Sequence, residues 1–313
     1  MADTIATTPA LRRGASATPG LGLRRFARRR STLAFAMCLP LFLLIAGLVV
    51  YPFFYSIYLS MLNRDMTRFI GLFNYGYLLR SDTFRAVIFQ SCFFAITAVF
   101  FKALFGFVLA HVMQNIITRD QKLWRGILLV PWVIPPALST LGFWWMVSGD
   151  YSAINWVFQS VGLPPVAWLS HTWTARLWII LVNIWFGTPF FMILYLATLK
   201  SVPEQLYEAA AIDGANWRQK IRFISLPMLR NVISITVLFS LIVTFANFDI
   251  VEILTAGAPA NTTHVFATYA FQVGINSGNI PMGAAVSLFI FPILAIFAIF
   301  ILRGVGRRAR EAV

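Results

Sequence analysis

Residues 281–302 read PMGAAVSLFIFPILAIFAIFIL, 22 positions without a formally charged side chain. An α-helix rises about 1.5 Å per residue, so this segment is long enough to cross the roughly 30 Å hydrocarbon core of a bilayer. The rest of the chain agrees, because only 12% of its 313 residues are charged, whereas a soluble globular domain carries about 25%. The segment therefore predicts an all-α integral membrane protein.

Apolar runs of this length occur six times along the chain. They cover approximately residues 33–62, 84–113, 126–147, 173–199, 232–254 and 281–302. Prolines inside them, among them Pro131, Pro135 and Pro136, predict kinks that neighbouring helices in a bundle can tolerate. We therefore expect six transmembrane helices in one transmembrane domain of residues 31–305.

Basic residues are concentrated at the ends of the chain and in alternate loops. Seven arginines lie between residues 12 and 30, and four more follow the last run. The loops 148–172 and 255–280 contain no Lys or Arg. Because short cytoplasmic loops are enriched in these residues, we expect both termini to be cytoplasmic, as basic tails of residues 1–30, predicted to be disordered, and 306–313.

Composition and spacing argue against several other classes of protein. The basic residues do not form a face interleaved with aromatic residues, so nucleic acid is not an expected partner. Cys38 and Cys92 lie in apolar runs, and the three histidines are scattered, so neither a metal site nor a cofactor is expected. No P-loop pattern occurs, and each of the four lysines lacks the preceding glycine that this pattern requires.

The loop 200–230 between the fourth and fifth runs has a pattern of its own. Ser201 and Glu204 have the spacing of a capping box, and alanines of high helix propensity follow. Gly214 can end that helix, and a second helix is expected from Asn216 to Ile224, before Pro227. The sequence predicts a helix, a glycine turn and a second helix at the membrane surface. A simple interfacial connector and a docking element for another protein both fit this pattern.

The spacing of fixed residues in this loop is specific. Glu208-Ala209-Ala210, Gly214, Ile224 and Leu226-Pro227 match the pattern E-A-A, three residues, Gly, nine residues, I-x-L-P. This stretch resembles the EAA loop of the inner-membrane permease subunits of bacterial ABC importers. Further segments resemble the sugar-permease branch of the maltose, glycerol-3-phosphate and multiple-sugar type, in particular its first permease: FNYGYLL at 73–79, FRAVIFQS at 84–91, RGILLVPWVIPP at 125–136 and residues 150–163. Together they extend the resemblance over about residues 33–305.

The resemblance implies that the loop is a cytoplasmic coupling helix between spans four and five, seated in a cleft of a homodimeric ATPase. Glu208 would pair with a basic residue of that ATPase, Ala209 and Ala210 would pack in the cleft, and Gly214 would form the turn. Leu226 and Pro227 complete the motif. This chain would hold no cofactor, and ATP and Mg would bind the partner ATPase.

The same resemblance implies where the substrate passes. The matching positions in the spans before and after the loop are Asn183, Gly187, Ser240, Thr244 and Asn247. Within each span these positions are three or four residues apart and share one helical face. Ordinary hydrogen bonds and small-residue contacts between membrane helices are the alternative interpretation.

The roles of three ionisable residues in or near the predicted spans remain open. Lys102 lies near the middle of the second run, where it could be structural or part of the pathway. Asp249 and Glu252 lie near the outer end of the fifth run. They could meet substrate or a binding protein, and a wetted helix end is an equal alternative.

The sequence therefore predicts a permease subunit of an ABC importer in the bacterial cytoplasmic membrane, the inner membrane. With a second, homologous permease it would form an alternating-access pathway for a carbohydrate or polyol delivered by an extracytoplasmic solute-binding protein. An ion-coupled secondary transporter that acts without an ATPase is the alternative. The sequence leaves the substrate open among mono-, di- and oligosaccharides, polyols and glycerol-3-phosphate.

Overall fold

A computed structural model describes residues 30–115 and 118–309, including the side chains of residues 37–115 and 120–303. These residues form helices, and one isolated antiparallel bridge joins Leu62 and Phe69. No strand occurs in this part of the chain. Of the amino-terminal tail predicted for residues 1–30, residues 1–29 lie outside the described part of the chain. At the other end, the last helix continues to Ala309, past the predicted start of the carboxy-terminal tail.

The chain divides into two compact units between Tyr55 and Ser56. In the described part of the first unit, α1 (Arg30–Ile45) continues through a π-helical turn (Ala46–Val50) into α2 (Tyr51–Ser60), which ends in the second unit. Met37–Ser60 has a mean hydropathy of 2.3 and is long enough to cross a membrane. A helix therefore occupies the predicted first span.

The second unit is also helical. Its helices are α3 (Phe73–Arg80), α4 (Asp82–Asn115), α5 (Thr118–Val133), α6 (Pro136–Val147), α7 (Ala153–Ser160), α8 (Thr172–Lys200), α9 (Glu204–Ile212), α10 (Trp217–Lys220), α11 (Leu226–Phe245), α12 (Asp249–Leu254), α13 (Phe266–Phe271), α14 (Ile280–Leu288) and α15 (Ile290–Ala309). Across the described residues, five helical segments are long and apolar enough to cross a membrane, and a bent pair gives a sixth. The all-helical membrane class is confirmed.

The predicted third span is a bent pair of helices. Asp120–Val133 and Pro136–Val147 meet at 87°. Ile134 and Pro135 each precede a proline, a position that disfavours helical backbone, and neither Pro135 nor Pro136 has an N–H to donate. The chain therefore leaves the helix at this point, and the kink that the prolines predict within 126–147 is present as this bend.

The helix of the predicted fifth span, 232–254, is interrupted near its end. α11 stops at Phe245, and α12 begins only at Asp249. In the break, the side-chain oxygen of Asn247 accepts a hydrogen bond from the backbone N–H of Ile250 at 3.3 Å. Because this side chain satisfies one of the free donors at the start of α12, it favours a new helix over continuation of α11.

Close contact between α4 and α8 holds the centre of the second unit together. A Cβ added to Gly106 would lie 2.4 Å from the Cβ of Phe191, so the two backbones meet where α4 has no side chain. Phe84, Phe191 and Tyr195 are among the fully buried side chains of the core. Membrane helices pack through small residues in this way, because lipid offers no hydrophobic force that drives helices together.

Candidate coupling and substrate sites

The first candidate site is the helix α9, which carries the fixed residues of the loop. None of its residues is buried. Glu208 and Ala209 are exposed and Ala210 is half-buried, while Ile212 at the end of the helix is 87% exposed. A short helix that leaves small and apolar residues uncovered presents a surface suited to a protein partner.

Gly214 forms the turn that ends α9. Its φ is +76°, and the N–H groups of Ala215 and Gly214 donate to the carbonyls of Ala210 and Ala211 at 2.8 and 3.1 Å. This pair of bonds is a Schellman motif, which places glycine in the left-handed conformation. A Cβ added to Gly214 would have no atom within 4 Å. The turn therefore requires glycine because of its backbone conformation and not because of space inside this chain.

The caps at the starts of the two loop helices, α9 and α10, differ from the sequence predictions. The predicted capping box of Ser201 and Glu204 does not form. The Ser201 hydroxyl donates to the Thr198 carbonyl, and the N-cap residue of α9 is Pro203, which makes no side-chain hydrogen bond. A capping box forms instead between Asn216 and Gln219 at the start of α10. Its N-x-x-Q spacing is the signal that sequence reasoning missed.

The second helix does not stop before Pro227. A π-helical turn (Ile221–Ser225) joins α10 to α11, and the N–H of Leu226 donates to the carbonyl of Ile221. A proline inside an α-helix clashes with the carbonyl four residues earlier, and the wider π turn relieves this clash. The fixed pair Leu226 and Pro227 is exposed at this junction.

Two sets of polar contacts hold the loop on the body of the second unit. The hydroxyl oxygens of Tyr207 and Ser225 are 2.9 Å apart, which connects α9 to the π-helical turn. The Lys200 ammonium donates to the Gln121 side chain at 2.7 Å, and Gln121 donates to the carbonyl of Met113 at 2.9 Å. The first contact connects α9 to the turn before α11, and the second connects the end of α8 to α5 and α4. The sequence reasoning singled out none of these contacts.

Four of the five predicted pathway residues lie on α8 and α11. Asn247 lies in the break after α11, so it does not continue the helical face of Ser240 and Thr244 as the sequence predicts. Asn183, Ser240 and Thr244 are buried, and Gly187 and Asn247 are half-buried. Asn247 interacts with the start of α12, and the Oδ1 atom of Asn183 is buried without a hydrogen-bond partner in the described part of the chain. Their role in transport stays a prediction.

Lys102 on α4 connects two members of this set. Its side chain is 4% exposed, and its ammonium donates to the Thr244 hydroxyl at 3.0 Å. A Cβ added to Gly187 would lie 2.6 Å from the Cδ of Lys102 and 2.8 Å from its Cε. The missing side chain of Gly187 is what leaves space for the lysine. The structure therefore brings Lys102, Gly187 and Thr244 into one cluster, which we call the lysine cluster.

A second polar cluster lies after α12. His264 is buried, its Nδ1 atom is 3.0 Å from the Thr268 hydroxyl, and Gly257 (φ +88°) lies against its ring. Burial lowers the pKa of His264, because the charged imidazolium loses its hydration. Asp249 is exposed and Glu252 half-buried on α12. Both acids thus lie beyond the end of α11 and not in the continuous fifth span that the sequence predicts.

Comparison with known proteins places the chain in a family. Residues 102–311 match the family model described as binding-protein-dependent transport system inner membrane component. A trehalose/maltose transport system permease protein of Thermococcus litoralis is 31% identical over 288 residues, which cover 90% of this chain and 96% of that protein. A probable ABC transporter permease protein of Sinorhizobium fredii is 35% identical over 267 residues, covering 83% of this chain and 85% of that protein.

A solved structure has the same fold. The crystal structure of a bacterial ABC transporter involved in the import of the acidic polysaccharide alginate contains a chain that superposes with a TM-score of 0.76 at 23% identity, covering 91% of this chain and 99% of that one. The family match, the relatives and the helical architecture agree. The chain belongs to the family of binding-protein-dependent transport system inner membrane components.

Proposed function

We propose that this chain is one of two permease subunits of an ABC importer, which carries a carbohydrate or related polyol across the bacterial cytoplasmic membrane by alternating access. The observation that carries the proposal is the exposed helix α9, closed by the Gly214 turn, at the position of the fixed E-A-A and Gly residues. Its proposed place is the cytoplasmic side, with both chain termini.

The proposed partner of α9 is a homodimeric ATPase that binds ATP and Mg. Glu208 is exposed and can accept charge-assisted hydrogen bonds from a basic residue of that ATPase. Ala209 and the half-buried Ala210 leave the helix narrow enough to enter a cleft. Closure of the ATPase would then act on α11 through the bond between Tyr207 and Ser225.

The carbohydrate part of the proposal is supported by the relative from Thermococcus litoralis, which transports trehalose and maltose according to its name. The polar side chains of α8 and α11 are suited to hydroxyl-rich ligands, because buried amides and hydroxyls exchange hydrogen bonds with them. A second permease would supply the other side of the pathway, and a solute-binding protein would deliver the substrate from outside.

An ion-coupled secondary transporter is the weaker candidate. Such proteins relay protons or sodium through carboxylates inside the membrane. No Asp or Glu is among the buried residues of the described part of the chain.

The test is purification of the chain in mild detergent together with the subunits that its cell produces. We expect a second permease and an ATPase to copurify in fixed stoichiometry. Charge reversal by Glu208→Lys should reduce the bound ATPase by at least tenfold while membrane insertion stays normal. Asp150→Lys is the matched control, since Asp150 is exposed in the loop between α6 and α7. Isolation of the chain alone, or full ATPase recovery with Glu208→Lys, would overturn the coupling role.

A further inference from the structure

The lysine cluster contains a buried, ionisable amine far from both ends of α4. Helix rise places Lys102 about 20 Å from the end of α4 at Asn115, and Gly187 equally far from the end of α8 at Lys200. The side chain is 4% exposed, so this chain covers it almost completely. Burial of an unpaired charge is costly, and such residues in membrane proteins serve a function more often than they stabilise the fold.

Nothing described in this chain neutralises that charge. An ammonium has three N–H donors, and within the described residues its one hydrogen-bond partner is Thr244. The one ion pair in the same part of the chain joins Arg85 and Asp82 at the other end of α4. The carbonyl end of α11 lies one residue beyond Thr244 and offers a partial negative charge. That half charge reduces the cost of burial and leaves two donors without partners.

Several groups near Lys102 have unused hydrogen-bonding capacity. α11 breaks off at Phe245, and the break leaves Ala246 exposed and Asn247 half-buried directly beside Thr244. In membrane proteins, non-helical backbone is tolerated where it is buried in protein or lines a cavity, and discontinuous helices form the binding sites of many transporters. One helical turn from Gly187, the buried Oδ1 atom of Asn183 lacks a partner in the described residues. The cluster thus has donors that fit an anion and an acceptor that fits a hydroxyl group.

From this arrangement we infer that Lys102 binds an acidic group of the transported substrate, and that the substrate class is an anionic carbohydrate. A carboxylate, as in uronic acids and their oligosaccharides, and a phosphate ester both fit the two free donors. Asn183 would accept a hydrogen bond from a neighbouring hydroxyl of the same sugar. The inference rests on the proposed function and narrows its substrate.

The first experiment identifies the ligand. The cognate solute-binding protein is screened by thermal shift against matched panels of neutral oligosaccharides, uronic-acid oligosaccharides and phosphorylated sugars and polyols. Each compound that binds is then offered to the complete transporter in proteoliposomes with ATP. We expect import of a carboxylated or phosphorylated compound, and the two panels distinguish the two anions. Import of a neutral sugar would overturn the inference while leaving the proposed function intact. Binding and import of no carbohydrate would overturn both.

The second experiment tests Lys102 itself in the assembled transporter. Lys102→Met keeps the length and removes the charge, so uptake of the acidic compound should fall about 10- to 100-fold, the loss expected for a charged hydrogen bond. ATPase recovery should not change. Lys122→Met is the matched control, because it removes the same charge at an exposed position of α5 outside the lysine cluster. Uptake by this variant should stay within a few-fold of wild type.

A structural role for Lys102 gives a different result. Replacement of an unpaired buried charge by an apolar side chain is often neutral or stabilising. We therefore expect the melting temperature of the substrate-free Lys102→Met complex to equal or exceed that of the wild type. A lower melting temperature in Lys102→Met, or uptake at the wild-type level, would show that the lysine stabilises the helix contact or pairs with the second permease.

Discussion

The coupling loop and the lysine cluster differ in how their residues are satisfied. In the loop, the backbone groups have partners inside the chain, as the Schellman bonds at Gly214 and the capping box at Asn216 show, and the side chains of α9 are uncovered. In the lysine cluster, the side chains are covered. The Lys102 ammonium has one partner, the Thr244 hydroxyl, and the Oδ1 atom of Asn183 has none among the described residues. The coupling loop therefore has a preformed shape that suits docking in a cleft. The lysine cluster has buried hydrogen-bond donors that suit an anion.

The largest effect should follow from a change in the loop turn. Gly214→Val forces a β-branched residue to a φ of +76°, which costs more than 1 kcal/mol and moves the end of α9. Uptake should fall more than 100-fold. Gly162→Val is the matched control, with a φ of +81° and no atom within 4 Å of an added Cβ. Equal losses of uptake in both variants would show that the strain unfolds the protein and does not act on coupling.

A smaller effect is expected from Gly187→Ala, which changes the lysine cluster alone. The new Cβ would meet the flexible Lys102 side chain at 2.6 Å, so the ammonium must move away from Thr244. We expect uptake to fall about tenfold, at unchanged ATPase recovery. Gly76→Ala is a control, because a Cβ there has no atom within 4 Å. Wild-type uptake by the Gly187→Ala variant would show that the position of the Lys102 ammonium does not matter for transport.

The smallest effect concerns His264, which belongs to neither region. Its pKa is lower in the folded protein than the ordinary value of 6.5, so the unfolded chain binds more protons as the pH falls. Stability is therefore full above about pH 6.5 and declines below it. The melting temperature should fall by a few °C between pH 7.5 and 5.5, and less in His264→Gln. Identical pH profiles would assign the acid sensitivity to other groups.

The fold was predictable from sequence where hydrophobicity decides it. Six apolar runs gave the helices, and the family that the E-A-A spacing predicts is confirmed by the match over residues 102–311. The errors lie at helix ends. The break after Phe245 depends on the contact of Asn247 with Ile250, and the passage of the helix through Pro227 depends on a π turn. A hydropathy pattern predicts neither of these local hydrogen-bonding arrangements.

The candidate sites divide in the same way. The fixed residues of the loop all lie within the one segment 208–227, so their spacing was visible in the sequence. The lysine cluster combines residue 102 with residues 187 and 244, and no sequence pattern indicates that three helices bring them together. Sequence reasoning therefore left Lys102 open between a structural role and the pathway. The Thr244 bond and the space at Gly187 are what place it beside the predicted pathway residues.

The central claim is that α9 docks the ATPase and the lysine cluster does not. It is tested most directly by the stoichiometry of ATPase bound to the purified wild type, Gly214→Val, Gly162→Val and Lys102→Met. We predict that the Gly214→Val variant retains at most one-tenth of the ATPase bound by the wild type. Gly162→Val and Lys102→Met should retain the wild-type amount. Full ATPase binding by Gly214→Val, or an equal loss in Lys102→Met, would contradict it.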